Sequence, residues 1–192
     1  IEALAAGCNY QPGDETPAVE HLDLWDGYRK HIHRFLPASL LDGTARLKVA
    51  VDASNGMAGT MVPKVFSGLS GLELIELHFE NDQGSFVHEP NPLVESNLRW
   101  TQEAVREHGC DFGVCFDGDA DRCVLVDEQG TSVGCDLATA WLAPSFLTHG
   151  GGVVYDLRSS KILPETVTSA GGEPHLSRVG HVFMKSKMKE TG

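Results

Sequence analysis

Apolar and polar positions along the chain alternate between two patterns: short β-rich runs ending in an acidic residue, and stretches with apolar residues every three or four positions. "LKVAVD" (47–52), "LELIELHF" (72–79), "DFGVCFD" (111–117) and "RCVLVDEQG" (122–130) read as strands, the last running into a Gln-Gly turn. "ASNGMAG" is a turn that opens a helix through Met61–Leu69. "NLRWTQEAVREHG" (97–109) predicts another, with Leu98, Thr101, Val105 and His108 on one face and Gly109 as its stop. Upstream, Leu24, Tyr28, Ile32 and Phe35 set a helical pattern within Leu22–Leu41 that Pro37 ends. "YQPGDETP" (10–17) and "QGSFVHEPNP" (83–92) are loop chemistry. Asp136 is placed as the N-cap of a helix through Leu147, with Pro144 as a kink.

A second unit starts after "THGGG" (148–152). "VVYDLRSS" (153–160) reads as strand and turn, Lys161–Ala170 as a helix, "EPHLSRVG" (173–180) as a strand and His181–Glu190 as a lysine-rich helix. The two units begin alike, each with an apolar strand ending in Asp and a serine at the mouth of the helix that follows. Strand–helix alternation implies parallel βαβ units in an α/β fold, with ligands at the carboxyl ends of the strands. The expected division is a connecting segment and helix in 1–45, an α/β domain in 46–149, and the start of a second, incomplete α/β domain in 150–192.

Composition narrows the function classes. The 192 residues are 41% hydrophobic and 22% charged, with a net charge of −12 and a pI near 5.1. That balance argues against a nucleic-acid or anionic-membrane binder, either of which needs a basic face. Five cysteines with no C-x-x-C spacing argue against a disulfide framework or a zinc site and for a reducing cytoplasm. The nine histidines are scattered and form no H-E-x-x-H pair. No apolar run is long enough for a membrane span and no signal peptide opens the chain. The opening "IEALAAG", without methionine, suggests a piece of something longer.

The chemistry concentrates in "FDGDADRC" (116–123), where Asp117, Asp119 and Asp121 alternate and Arg122 follows at once. Two carboxylates ~4 Å apart repel by about 1 kcal/mol in water and several-fold more in a partly dry site. A solvated turn would account for the Asp and Gly residues, but not for strict alternation between apolar strands. An EF-hand loop fits at Asp117, Asp119, Asp121 and Glu128. It fails at the sixth position, where Arg122 replaces the required glycine, and in its flanks, which are strands. A site for a hard divalent cation remains: three carboxylates for Mg²⁺, room for water or a phosphate oxygen, and Arg122 facing a phosphoryl group.

"DGDADR" resembles the metal loop, D-G-D-x-D-R, of the α-D-phosphohexomutase superfamily, which includes phosphomannomutase/phosphoglucomutase. "VDASNGMAG", "HEPNPLVESNL", "DFGVCFDGDADRC", "VVYDLRSSKIL" and "RVGHVFMKSKMKETG" stand in the order and approximate spacing of that family's second and third domains, over about Leu47 to Gly192. The resemblance implies two consecutive three-layer α/β domains, metal-binding and then sugar-binding. It also implies interconversion of hexose 1-phosphate and hexose 6-phosphate through a phosphoserine and a hexose bisphosphate. It makes Asp117, Asp119 and Asp121 the Mg²⁺ ligands and Arg122 the arginine beside the transferring phosphoryl. Gly180 and His181 fall at the sugar, His181 with a proton-transfer or positioning role, and Arg158 at a substrate-contacting basic position. His181 also reads as an ordinary helix-start histidine, and Arg158 as a surface charge.

The departures from the family pattern are equally informative. The T-A-S-H-N-P type phosphoserine motif, the G-E-M-S-G-H type sugar loop and the fourth, phosphate-clamping domain are absent from the 192 residues. The expectation is therefore the middle of a phosphohexomutase, inactive alone, with the missing domains of the same protein as its partners. A non-catalytic module binding a divalent cation or a phosphorylated ligand is the alternative. A phosphotransferase or phosphatase with an aspartate nucleophile is disfavoured, because Gly118–Asp119–Ala120 follows Asp117 where a threonine or valine would be expected.

Overall fold

A computed structural model describes residues 6–7, 18–147 and 150–192. The loop reading of 10–17 falls wholly outside these residues, as do Cys8, Thr148 and His149. Helix α1 (Trp25–His33) is followed by a short α2 (Ala38–Leu41), with Pro37 extended between them at φ −65°, ψ 144°. The helical pattern ends before Pro37, as expected, and the proline starts a new turn.

Strand β1 (Leu47–Asp52) occupies the expected residues and lies at the heart of a five-stranded sheet ordered β2-β1-β3-β4-β5. It pairs in parallel with β2 (Leu72–Leu77) and with β3 (Phe112–Phe116). Helix α3 (Ala58–Phe66) starts and ends about a turn earlier than expected, and Gly68 at φ +83° follows it. Strand β2 stops short because His78 takes φ +52°, a conformation no strand accommodates. A 3₁₀ turn (Glu95–Leu98) leads into α4 (Arg99–His108), closed by Gly109 in the left-handed region as expected. The buried face of this region holds Leu98, Thr101, Ala104 and Val105, whereas His108 is exposed.

Strands β4 (Cys123–Val126) and β5 (Ser132–Val133) correct the all-parallel expectation, since both pair antiparallel. Six residues separate β3 from β4, too few for a parallel crossover, so the segment 117–122 is a hairpin loop. Asp127 ends β4 early by accepting the N–H groups of Gln129 and Thr131 in a second turn.

The core lies on both faces of this sheet. Val49, Val51 and Ala53 pack with Ala58 and Val62 of α3, while Ala50 and Val126 pack with Ala104 and Val105 of α4. Each such side chain, fully buried, contributes roughly 1.5–3 kcal/mol for Val or Leu.

Helix α5 (Cys135–Phe146) has Gly134 as its N-cap, not Asp136. Asp136 sits in the first turn, accepting the N–H of Leu137 at 2.9 Å and that of Ser160 at 3.2 Å. Strands β6 (Gly152–Asp156) and β7 (Glu173–Ser177) form a parallel pair, with α6 (Ile162–Ser169) between them and α7 (His181–Thr191) after them. Ala140, Ala143 and Leu147 pack with Leu163 and Val167, beside Val153 and Tyr155. The packing therefore puts α5 in the core of the second unit, although a division at 149/150 would leave it with the first. Among the described residues no helix is long and apolar enough to cross a membrane.

Candidate metal centre and adjoining cleft

The 117–122 loop leaves the carboxyl end of β3 and is braced by the turn after β1. The Ser54 hydroxyl donates to the Phe116 carbonyl at 2.6 Å, and the Met57 N–H donates to the Gly118 carbonyl at 2.9 Å. The two turns touch backbone to backbone at Gly56, where a Cβ would stand 2.5 Å from the Gly118 oxygen. Within the loop the Asp117 N–H donates to the Arg122 carbonyl, closing the hairpin, and Ala120 adopts φ +60°. That kink lets alternate side chains turn to one side.

Asp117, Asp119 and Asp121 converge, each offering a carboxylate oxygen within 4.8 Å of the others. Asp117 is fully buried, while Asp119 and Asp121 are exposed. Oδ1 of Asp117 accepts the N–H groups of Asp121 and Arg122 at 3.0 and 3.1 Å. Nε of Arg122 lies 2.6 Å from Oδ2 of Asp117 as an ion pair. Apart from that ion pair, this buried oxygen has no hydrogen bond among the described residues. A buried anionic oxygen that accepts no hydrogen bond, beside two other carboxylates, could ligate a cation, and the all-oxygen donor set suits Mg²⁺. Burial opposes the charged form of Asp117, but the Arg122 backbone N–H and the guanidinium charge outweigh it and hold the carboxyl below its ordinary value. Asp117 in turn raises the pKa of Arg122.

Arg122 also lines a cleft of about 530 Å³ between the two units, with Asp136, Asp156, Arg158, Ser159 and Met184 among its walls. Arg158 donates from Nη2 to Oδ2 of Asp156 at 2.7 Å and from Nε to both carboxylate oxygens. Those bonds hold Asp156 below its ordinary pKa. The cleft thus brings Arg122 and Arg158 to one space with their charges already balanced by aspartates.

His181 is not among the residues lining it. This histidine is exposed at the start of α7, after Gly180 at φ +124°, and Met184 one turn on reaches the cleft instead. Two groups of residues escaped the motif reading. Asp136 reaches across to Ser160, whose side chain and backbone lower its pKa. Asp52, His78 and His88 meet beneath the turn after β1, and neither group has a spacing signal.

Sheet, hairpin loop and cleft define an α/β protein able to hold a hard cation next to arginines at the carboxyl ends of its strands. Comparison with known proteins supplies the family. Residues 26–130 match phosphoglucomutase/phosphomannomutase α/β/α domain II and residues 129–192 match α/β/α domain III, and the chain belongs to this family. It is 34% identical over 199 residues to phosphomannomutase of Escherichia coli K12, covering 99% of this chain and 43% of that protein. It is 37% identical over 180 residues to phosphohexose mutases of Xanthomonas campestris, covering 92% and 39%. A crystal structure of a phosphoglucomutase/phosphomannomutase family protein from Burkholderia thailandensis superposes with a TM-score of 0.80 at 32% identity, over 90% of this chain and 37% of that one. The chain thus spans about two fifths of the length of the curated relatives it matches.

Proposed function

We propose that the chain supplies the metal-binding domain and part of the sugar-binding domain of a phosphohexomutase. The parent reaction interconverts hexose 1-phosphate and hexose 6-phosphate of the mannose/glucose type through a phosphoserine and a bisphosphate. The observation that carries this reading is the convergence of three carboxylates around the buried Asp117, with Arg122 beside them. Asp117, Asp119 and Asp121 hold Mg²⁺, which when bound neutralises charge on the phosphoryl group in transfer. Arg122, at the junction of loop and cleft, orients that phosphoryl through its planar fork. Arg158 is held by Asp156 at the substrate phosphate or sugar, and Gly180 and His181 contact the sugar from the start of α7. The domain divide lies before α5 rather than at 149/150. The thiols of Cys110, Cys115, Cys123 and Cys135 are free, in keeping with a reducing cytoplasm as the location.

Calorimetric titration with Mg²⁺ or Mn²⁺ tests the metal assignment. Wild type binds weakly and Asp119→Asn at least about tenfold more weakly, since even outer-shell changes cost that much. Equal binding by both removes the loop from the metal site. In the longer parent enzyme, Arg122→Lys lowers kcat about 10²-fold, the scale of losing one transition-state donor. Unchanged kinetics contradict the role of Arg122. Metal binding without any hexose phosphate turnover in the parent favours a binding module instead.

A further inference from the structure

We propose that Asp52, His78 and His88 form a second cation site, distinct from the aspartate loop and suited to a borderline divalent metal of the Zn²⁺ or Co²⁺ kind. Three separate segments build it. Asp52 ends β1, His78 follows β2, and His88 comes from the loop before α4. Nδ1 of His78 lies 3.0 Å from Oδ1 of Asp52, and Nε2 of His88 lies 3.2 Å from Oδ2. All three donor groups offer atoms within 4.8 Å of one another. Ligands of a tetrahedral ion with bonds of 2.0–2.1 Å stand about 3.3 Å apart, close to both imidazole–carboxylate distances.

The hydrogen bonding around His88 suits a metal ligand. Its Nδ1 is 2.9 Å from the Glu89 carbonyl, which can only accept, so Nδ1 carries the hydrogen. Nε2 faces Oδ2 of Asp52 at 3.2 Å, the direction in which a bound cation would lie. A histidine that donates one N–H to a backbone carbonyl while presenting its other nitrogen is the outer-shell arrangement of a metal-bound imidazole. The remaining geometry is equally fixed. The Ser54 N–H donates to Oδ1 of Asp52 at 2.8 Å, and the His88 ring stacks on Trp100 at 4.6 Å with His78 edge-on to the same indole at 5.5 Å. Asp52 is fully buried and the His88 side chain is 2% exposed, so the ligands are oriented before any ion arrives. Two imidazoles and one carboxylate favour a borderline metal, whereas the all-oxygen loop favours Mg²⁺.

The test is Co²⁺ titration of the chelator-stripped 192-residue chain with excess Mg²⁺ present to occupy the loop. Wild type should develop a saturable visible absorption band at one equivalent, displaced by Zn²⁺ and accompanied by quenching of Trp100. His88→Gln and His78→Gln should each weaken Co²⁺ binding more than about tenfold, and Asp119→Asn should leave it unchanged. No saturable band in wild type, or a band that survives both histidine substitutions or vanishes with Asp119→Asn, overturns the proposal. If a variant misfolds by circular dichroism, ¹⁵N-histidine NMR of the wild type decides. Zn²⁺ should shift Nε2 of one ring and Nδ1 of another. Resonances indifferent to Zn²⁺, with one imidazole protonated on both nitrogens, identify a proton-held triad and no metal site.

Discussion

Asp117 has no contact with solvent, yet its carboxyl stays below the ordinary range because the Arg122 backbone and guanidinium outweigh the cost of burial. A carboxyl depressed in the folded state stabilises the fold above its unfolded value near 4, and that contribution is lost as pH falls through the folded value. Urea midpoints measured from pH 6 to pH 3 should therefore fall on acidification. They should fall less steeply in Asp117→Asn, where Asp136 and Asp156 still contribute their own lowered values. Cys115 presents the opposite case. Burial, reinforced by the charge of Asp52, pushes its thiol up to about 12. Since the thiolate is the nucleophile, iodoacetamide at pH 8 should leave Cys115 unmodified in the folded chain and label it in denaturant, as read by mass spectrometry.

At the scale of elements, α5 matters most for how the chain divides. Leu163 is 1% exposed and packs in the cluster that holds Ala140, Ala143 and Leu147 of α5. Leu163→Ala should cost roughly 2–5 kcal/mol. Hydrogen exchange should accelerate together in 135–147, β6 and β7 while β1 to β3 keep their protection. Accelerated exchange confined to 150–192 would return α5 to the first unit.

The same scale shows what the sequence made legible. β1 and the Gly109 stop were readable because burial on both faces and a left-handed cap leave local signatures. The antiparallel turn of β4 was not, since an apolar run looks the same whichever way its partner points. Asp136 resembled an N-cap because it lies two residues past the real one and still accepts a backbone N–H of the first turn. The convergence of Asp117, Asp119 and Asp121 was legible, as they alternate within five residues. The junction of Arg122 with Arg158 was visible only through family resemblance. The Asp52–His78–His88 cluster was invisible, because its members lie 26 and 36 residues apart and meet only through sheet pairing.

For the whole molecule, the sequence predicts folding without turnover. The 192 residues hold the three converging aspartates and two cleft arginines but no serine motif of the family type. Holding nucleophile, metal and phosphate together is worth roughly 7–11 kcal/mol of barrier. A coupled assay converting glucose 1-phosphate to glucose 6-phosphate, with bisphosphate and Mg²⁺ supplied, should show no activity for this chain alone. Activity that co-purifies with it and disappears in Asp117→Ala would overturn that prediction.

The contact between Gly56 and Gly118 has a consequence for the order in which the molecule assembles. Closing the hairpin loop spans only a few residues and costs little chain entropy. A bare hairpin would nonetheless leave its three carboxylates free to swing apart. The Ser54 hydroxyl and the Met57 N–H reach the loop only once β1 lies beside β3, a pairing between segments some 60 residues apart. Ligands close in the chain thus wait on partners far along it. Convergence of the three carboxylates becomes a late event in folding, one that reports whether the two central strands have docked.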